Sequence, residues 1–168
     1  ECPTGMQTLT RSKGNMDMVT FQKILDKLAP DLIYLTLYFQ GEPLINPHFS
    51  EMVKMARDRN TFVATSTNGH FLDDENVEKI IKSGLNHLII SLDGLDQQTY
   101  EKYRVKGDFQ SVIDGIHRLV TARKAAKSNS PFIELQFLVM RHNEHQVKQV
   151  KELAKRLGVD KLSLKTAQ

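Results

Sequence analysis

The sequence predicts an α/β fold built on a parallel sheet. Apolar and β-branched runs alternate with runs of helical periodicity, in the order α-β-α-β-α-β-α-β-α-β. Several strand-like runs are apolar almost throughout, as is typical of strands that are covered on both faces. The 168 residues suffice for one domain with a sizeable core. No linker divides them, so we predict a single domain over residues 1–168.

Five short segments have the composition of strands and end at turn-forming residues. They cover residues 33–39, 62–67, 87–92, 133–140 and 161–165. Strands that are joined by helices run parallel, with right-handed crossovers. We therefore expect the carboxyl ends of these strands to meet at one edge of the sheet.

Helices are predicted in the intervals between the strands. The first has apolar residues at helical spacing in Phe21, Ile24, Leu25 and Leu28, and the other intervals repeat this pattern. Residues that cap or stop helices flank these runs. They are Asn46 with Pro47 at the first helical position, Asp73 or Asp74, Asp108 and Asn143 as N-caps, and Gly84 and Gly158 as stops.

Composition excludes several classes of partner. The net charge is only +3, and Lys and Arg are spread among Asp and Glu without a basic stripe, so nucleic acid is not an expected partner. No apolar run approaches the roughly 20 residues of a membrane helix, so no membrane partner is expected either. The single cysteine, Cys2, excludes a disulfide within the chain and fits a reducing, cytoplasmic location.

Polar and glycine-containing tips follow the strand candidates. They read QGEP at 40–43, STNG at 66–69, SLDG at 91–94 and MRHN at 140–143. In parallel β/α proteins, ligands bind at the carboxyl ends of the strands. Each tip alone is also a good turn in any protein, and it is their joint occurrence on one rim that indicates a ligand site.

The chemistry of these tips suits amines and anions. Gly41 allows a ligand close to the backbone, and the carboxylate of Glu42 suits an ammonium group. A carboxylate of the ligand could pair with Arg104, in two hydrogen bonds if the geometry permits. Hydroxyl, amide and carboxylate groups for a sugar or a carboxylate come from Ser66, Asn68, Ser91 and Asp93.

Taken together, these motifs resemble the radical SAM superfamily. The QGEP run of Gln40, Gly41, Glu42 and Pro43, with Leu44 and Asn46–Pro47 behind it, is similar to the family's GGEP motif, and STNG and SLDG match the next two strand ends in order and spacing. The run YEKYR at 100–104, with Gly107 and Phe109, resembles the subgroup that matures peptides and sulfatases and carries a C-terminal auxiliary-cluster domain. The resemblance covers essentially the whole chain. It implies a partial (β/α)6 TIM-like barrel whose first strand is missing from this fragment.

The resemblance also implies two cofactors, S-adenosylmethionine (SAM) and a [4Fe–4S] cluster. The family holds the cluster in a C-x-x-x-C-x-x-C loop, whose three thiolates leave one iron open for the amino and carboxylate groups of SAM. Cys2 matches the third of these cysteines, and the other two would lie upstream. The fragment is therefore expected to be inactive by itself.

Site roles follow from the same resemblance. The QGEP residues would hold the methionine amine, Ser91 and Asp93 would contact the ribose, Arg104 would take the carboxylate, and Asn143 would face ribose or adenine. In the parent protein, one-electron cleavage of SAM would give a 5′-deoxyadenosyl radical that abstracts hydrogen from a peptide or small-molecule substrate. The electron would come from a donor such as flavodoxin or ferredoxin.

Two other functions remain open at this point. One is a cluster-independent β/α-barrel enzyme that uses Glu42 and Asp93 as general acid and base; the other is a non-catalytic SAM-binding module. A C-x-x-x-C run ending three residues before Cys2 would favour the radical enzyme. The missing first strand also leaves an unpaired sheet edge, which predicts weak association between copies.

Overall fold

The sheet brings the strand-end motifs to one rim, and it is described by a computed structural model that covers residues 10, 14–28 and 30–166. Its five strands are parallel and lie in the order β1-β2-β3-β4-β5. The strands are β1 Tyr34–Thr36, β2 Phe62–Thr67, β3 His87–Ser91, β4 Phe132–Val139 and β5 Lys161–Thr166. The helices are α1 Met18–Leu28, α2 Phe49–Arg57, α3 Asp74–Ser83, α4 Gln97–Glu101, α5 Phe109–Ala125 and α6 Val147–Leu157.

The core lies between the helices and one face of the sheet. Alternate strand residues such as Leu88, Ile90, Ile133 and Leu135 are fully buried and pack with apolar residues of the helices. The residues between them lie on the opposite face, which we call the open face. On the open face, Ile89 of β3 lies in register with Ser66 of β2 and with Glu134 of β4. Two residues later, Ser91 of β3 lies in register with Gln136 of β4. One face is thus an apolar core and the other carries polar side chains, as in a barrel with a ligand-binding interior.

Strand β1 is shorter than predicted. It covers Tyr34–Thr36 instead of residues 33–39, and among the described strands it pairs only with β2. After one more bond, from the Leu37 amide to the Ala64 carbonyl at 2.9 Å, the chain leaves the sheet. The side chain of Phe39 is 89% exposed. Backbone pairing sets the length of this strand, and the apolar composition does not reveal that pairing. Association between copies through the other edge of β1 stays a prediction.

Helix caps agree with the sequence in most places. Asp73 and Asp108 accept hydrogen bonds from backbone amides three residues later. Gly84 and Gly158 end α3 and α6 in the left-handed conformation that glycine favours. The short α4 was not predicted, although Asp96 caps it through the Thr99 amide in the same way.

Two predicted helix starts are wrong. Helix α2 begins at Phe49 rather than Pro47, because the Asn46 side chain accepts a bond from the His48 amide and shapes a turn there instead. Helix α6 begins at Val147, after a 3-10 turn over Glu144–Gln146. None of the helices in the described part of the chain is long and apolar enough to cross a membrane.

A buried arginine joins the ends of two elements far from the rim. Both terminal nitrogens of Arg123 donate to the Asp160 carboxylate, which also accepts a bond from the Ile133 amide at 2.7 Å. Burial raises the pKa of Asp160, but these hydrogen bonds outweigh it and hold the pKa below its ordinary value. The charged carboxylate therefore stabilises the fold above the unfolded-state pKa of about 3.9.

We expect Asp160→Asn to lower the free energy of unfolding at pH 7 by roughly 1.5–3 kcal/mol, because charge-assisted hydrogen bonds are lost. As the pH falls through the folded-state pKa, the wild-type carboxylate is protonated, and its charge no longer contributes to the free energy of unfolding. Urea unfolding at pH 7 and pH 3 should show a difference between wild type and variant that shrinks at pH 3. The exposed Asp31, replaced by Asn, is the control. An equal difference at both pH values would contradict this account.

Candidate active site

The QGEP turn connects the tips of β1 and β2. Glu42 begins a 3-10 turn over Pro43–Ile45, and its Oε1 accepts hydrogen bonds from the Leu44 amide at 3.1 Å and the Thr67 hydroxyl at 2.8 Å. Its Oε2 accepts a bond from the Asn68 amide at 2.7 Å. A carboxylate offers about four acceptor positions, so these bonds fix its orientation and leave room for one more donor.

The backbone of the same turn is open to a ligand. Gly41 has a φ of +85°, and an added Cβ would meet no atom of the described residues within 4 Å. Beside it lies a cleft of about 420 Å³. Apolar groups from Met16, Tyr38 and Met52 line this cleft, together with the polar Gln40 and Glu42. The cleft therefore combines an apolar wall with carboxylate and amide groups.

A second network joins the ends of β3 and β4. The Asp93 carboxylate is 1% exposed and accepts bonds from Arg104 Nε at 2.7 Å and the Leu138 amide at 3.0 Å. The Asn143 amide nitrogen donates to the backbone carbonyls of Asp93 at 3.0 Å and Leu138 at 2.8 Å. Asn143 Oδ1 accepts a bond from the Met140 amide at 2.7 Å. Asn143 is thus a buried brace of the rim, and its predicted contact with ribose or adenine stays a prediction.

Arg104 keeps part of its guanidinium available. Its Nε is bound to Asp93, and its side chain is 30% exposed. Within the described ranges, its two terminal nitrogens donate to no protein acceptor. The guanidinium carbon lies 5.4 Å from the centre of the Tyr103 ring. Asp93 therefore orients a cation whose outer fork can still bind a carboxylate.

The remaining predicted residues fall at the same rim or outside the described chain. Ser66 is half-buried and Ser91 is buried on the open face. The Asn68 side chain accepts hydrogen bonds from His70. Cys2 lies outside the described residues. In the parts that are described, no group of three or more His, Cys, Asp and Glu side chains could hold a metal ion.

Sequence reasoning missed two residues that shape the site. Thr67 donates to Glu42 and accepts a bond from the Gly69 amide at 3.1 Å. His70 accepts a bond from the Asp108 amide at 3.0 Å and so links β2 to α5. Both lie within or beside the STNG run, whose position at a strand end was the available signal.

The geometry does not favour a general acid–base pair. Glu42 and Asp93 are each held by bonds to backbone amides, and Asp93 is also paired with Arg104. A catalytic acid or base needs an accessible proton site, and although Glu42 keeps one acceptor position, Asp93 is buried and paired. Their arrangement is suited to orienting neighbouring groups, which weakens the cluster-independent alternative.

Comparison with known proteins decides the family. The sequence-family model of the radical SAM superfamily matches residues 2–154 of this chain. The chain belongs to the radical SAM superfamily. Members of this superfamily use SAM and a [4Fe–4S] cluster.

The relatives of this radical SAM chain catalyse different reactions. It is 28% identical over 155 residues to the AdoMet-dependent heme synthase of Methanosarcina barkeri, covering 92% of this chain and 42% of that protein. It is 26% identical over 157 residues to the PqqA peptide cyclase of Gluconobacter oxydans, covering 93% of this chain and 42% of the cyclase. The radical SAM chain therefore spans about two fifths of the length of these relatives.

A solved structure has the same fold. SuiB of Streptococcus suis bound to S-adenosylmethionine matches with a TM-score of 0.73 at 13% identity, over 95% of this chain and 36% of SuiB. SuiB bound to its precursor peptide SuiA matches with a TM-score of 0.72 at 13% identity, over 95% of this chain and 35% of SuiB. The parallel sheet of the radical SAM chain is thus part of a radical SAM barrel, as the sequence predicted.

The rim of the radical SAM chain fits SAM. An amine can reach the remaining acceptor position of Glu42 and the open backbone at Gly41, and the apolar cleft beside them can hold a thioether chain. The outer fork of Arg104 can take a carboxylate. The rim thus provides the chemical groups that an α-amino acid requires, an acceptor for its amine and a cation for its carboxylate.

Proposed function

We propose that residues 1–168 form a single core domain of a radical SAM enzyme. The observation that carries the proposal is the QGEP turn, where an open backbone and an oriented carboxylate adjoin a cleft at the carboxyl ends of parallel strands. When bound, SAM and a reduced [4Fe–4S] cluster supply a 5′-deoxyadenosyl radical that takes a hydrogen atom from the substrate. Cys2 would provide one of the three cluster thiolates.

The residues of the rim would bind and orient SAM. Glu42 and the backbone carbonyls of Gln40 and Gly41 would accept hydrogen bonds from the methionine amine, with Pro43 fixing the turn. Arg104, held by Asp93, would bind the carboxylate. The hydroxyls of Ser66 and Ser91 would face the ribose, while Asn143 keeps the β3 and β4 tips together.

We further propose that the substrate is a peptide. Support comes from the PqqA peptide cyclase and from SuiB, whose structure contains a precursor peptide. The similarity to a heme synthase keeps a tetrapyrrole substrate as the competing class. A small reduced electron carrier, flavodoxin or ferredoxin, would supply the electron.

The test uses the whole protein, reconstituted without oxygen. With dithionite and SAM, we expect 5′-deoxyadenosine to form in the wild type and to disappear in Cys2→Ala because the cluster is incomplete. In Glu42→Gln, a neutral amide replaces the acceptor for the amine, and the Kd for SAM should rise about tenfold. His117→Gln, at an exposed position of α5, is the control.

Two results would contradict the proposal. Undiminished 5′-deoxyadenosine from Cys2→Ala would remove Cys2 from the cluster. A wild-type protein with a complete cluster that binds SAM without cleaving it, even with candidate peptides present, would leave the non-catalytic binding module as the better reading.

A further inference from the structure

The hydrogen bonds of His70 determine which of its ring nitrogens carries the hydrogen. The backbone amide of Asp108 lies 3.0 Å from Nε2. A backbone N–H can only donate, so Nε2 is the acceptor and a neutral ring has its hydrogen on Nδ1. Nδ1 lies 3.2 Å from Asn68 Oδ1. His70 therefore donates to Asn68 with one nitrogen and accepts from the start of α5 with the other.

These bonds orient the Asn68 amide. Its Oδ1 accepts from the His70 ring and from the His70 backbone amide at 2.9 Å. With the oxygen turned towards His70, the Nδ2 group points away from it, and among the residues that the structure describes it has no acceptor. The backbone amide of Asn68 is bonded to Glu42 Oε2 at 2.7 Å. Glu42, whose carboxylate would receive the ligand's amine, therefore contacts the backbone of the residue whose oriented side-chain amide is unused among the described residues.

We propose that His70 is a positioning residue that holds Asn68 so that its Nδ2 donates to an oxygen of the bound ligand. In an α-amino acid, one carbon separates the amine from the carboxylate. A donor on the residue whose backbone binds Glu42 would therefore share with Arg104 the carboxylate of the same amino-acid group that Glu42 binds. This inference rests on the proposed function, because it takes the amino-acid group to be that of SAM.

Two substitutions separate positioning from mere structural support. The side-chain nitrogen of Asn can occupy the place of Nδ1, so His70→Asn keeps a donor for Asn68 and loses the acceptor for the Asp108 amide. Gln reaches the place of Nε2, so His70→Gln keeps that acceptor and loses the donor for Asn68. If His70 has a purely structural role, the variant that loses more stability should also lose more ligand affinity. If His70 positions Asn68, His70→Gln should lose affinity and His70→Asn should lose stability.

The experiment measures SAM binding by calorimetry on the whole protein with its cluster oxidised, so that no turnover occurs. We expect Asn68→Ala to raise the Kd about tenfold and His70→Gln to raise it roughly threefold to tenfold, the loss of one hydrogen bond. His70→Asn and the control His117→Gln should stay within about twofold of wild type. Thermal unfolding should instead rank His70→Asn as the least stable of the His70 variants.

A second readout does not depend on the ligand. The ¹⁵N chemical shifts of the His70 ring in the wild type should show hydrogen on Nδ1 and none on Nε2. The opposite tautomer would overturn the inference. So would an unchanged Kd in Asn68→Ala, or equal losses of affinity in His70→Asn and His70→Gln, with the proposed function left intact. A wild-type protein that fails to bind SAM would overturn both.

Discussion

Gly94→Ala is expected to destabilise the protein by about 3 kcal/mol, the upper end of the usual cost of overpacking. A Cβ at this position would lie 2.4 Å from the Tyr100 backbone nitrogen and 2.6 Å from its Cα. Both atoms belong to the backbone of α4, so no side-chain rotation can relieve the overlap. Helix α4 must move away from the β3 tip, and the Asp93–Arg104 pair beside it moves as well.

The control for this substitution is Gly14→Ala. Gly14 is exposed, and in the described part of the chain no atom lies within 4 Å of a Cβ built there. A change of about 0.5 kcal/mol or less is expected there, as for most surface substitutions. Urea unfolding followed by circular dichroism compares the two variants. Equal midpoints would mean that the close approach of α4 to Gly94 is not part of the stable fold.

Asp93→Ala is the second substitution with a large expected effect. It removes a buried carboxylate that binds Arg104 and the Leu138 amide. Breaking a buried ion pair typically costs about 3–5 kcal/mol. Because the side chain of Arg104 remains 30% exposed and can be hydrated, we expect a loss at the low end, about 3 kcal/mol.

Asp93→Asn is the matched variant. Its amide oxygen can still accept from the Leu138 amide, but the charge is lost, so the expected cost is about 1.5 kcal/mol. A double-mutant cycle with Arg104→Ala isolates the pair, and a coupling energy of about 1 kcal/mol or more is expected for residues in direct contact. A coupling near zero would show that Asp93 acts through the β4 backbone alone. The affinity for SAM should fall in both Asp93 variants, and more in Asp93→Ala than in Asp93→Asn, because Asp93 orients Arg104.

The sequence predicted the order of elements and most of their boundaries because local chemistry specifies them. The bounds of β2 agree with the prediction, and Asp73, Asp108, Gly84 and Gly158 mark helix ends as expected. These features depend on side chains a few residues apart. Strand β1 differs because its length depends on a partner distant in the chain.

The internal pairing of the site could not be predicted for the same reason. Glu42 and Asp93 were each expected to face the ligand, and the structure does bring their motifs to one rim of the sheet. Their bonds to Thr67, Asn68 and Leu138 join residues that only the sheet brings together. Sequence patterns therefore placed the candidate residues at one rim, whereas the hydrogen bonds that hold Glu42 and Asp93 depend on the folded sheet.

The simple strand order has a consequence for how the chain acquires its structure. Each strand pairs with the one before it in sequence, so no pairing has to wait for a distant segment to be synthesised. The sheet can grow strand by strand as the chain leaves the ribosome. The pairing of β4 with β3 should be the slowest, because both α4 and α5 lie between these strands in the sequence. The difference from the other pairings should be small, because loop-closure entropy grows only slowly with length. Assembly intermediates that end at β3 would carry half of the rim, with Glu42 already tied to β2 and Asp93 still without Leu138.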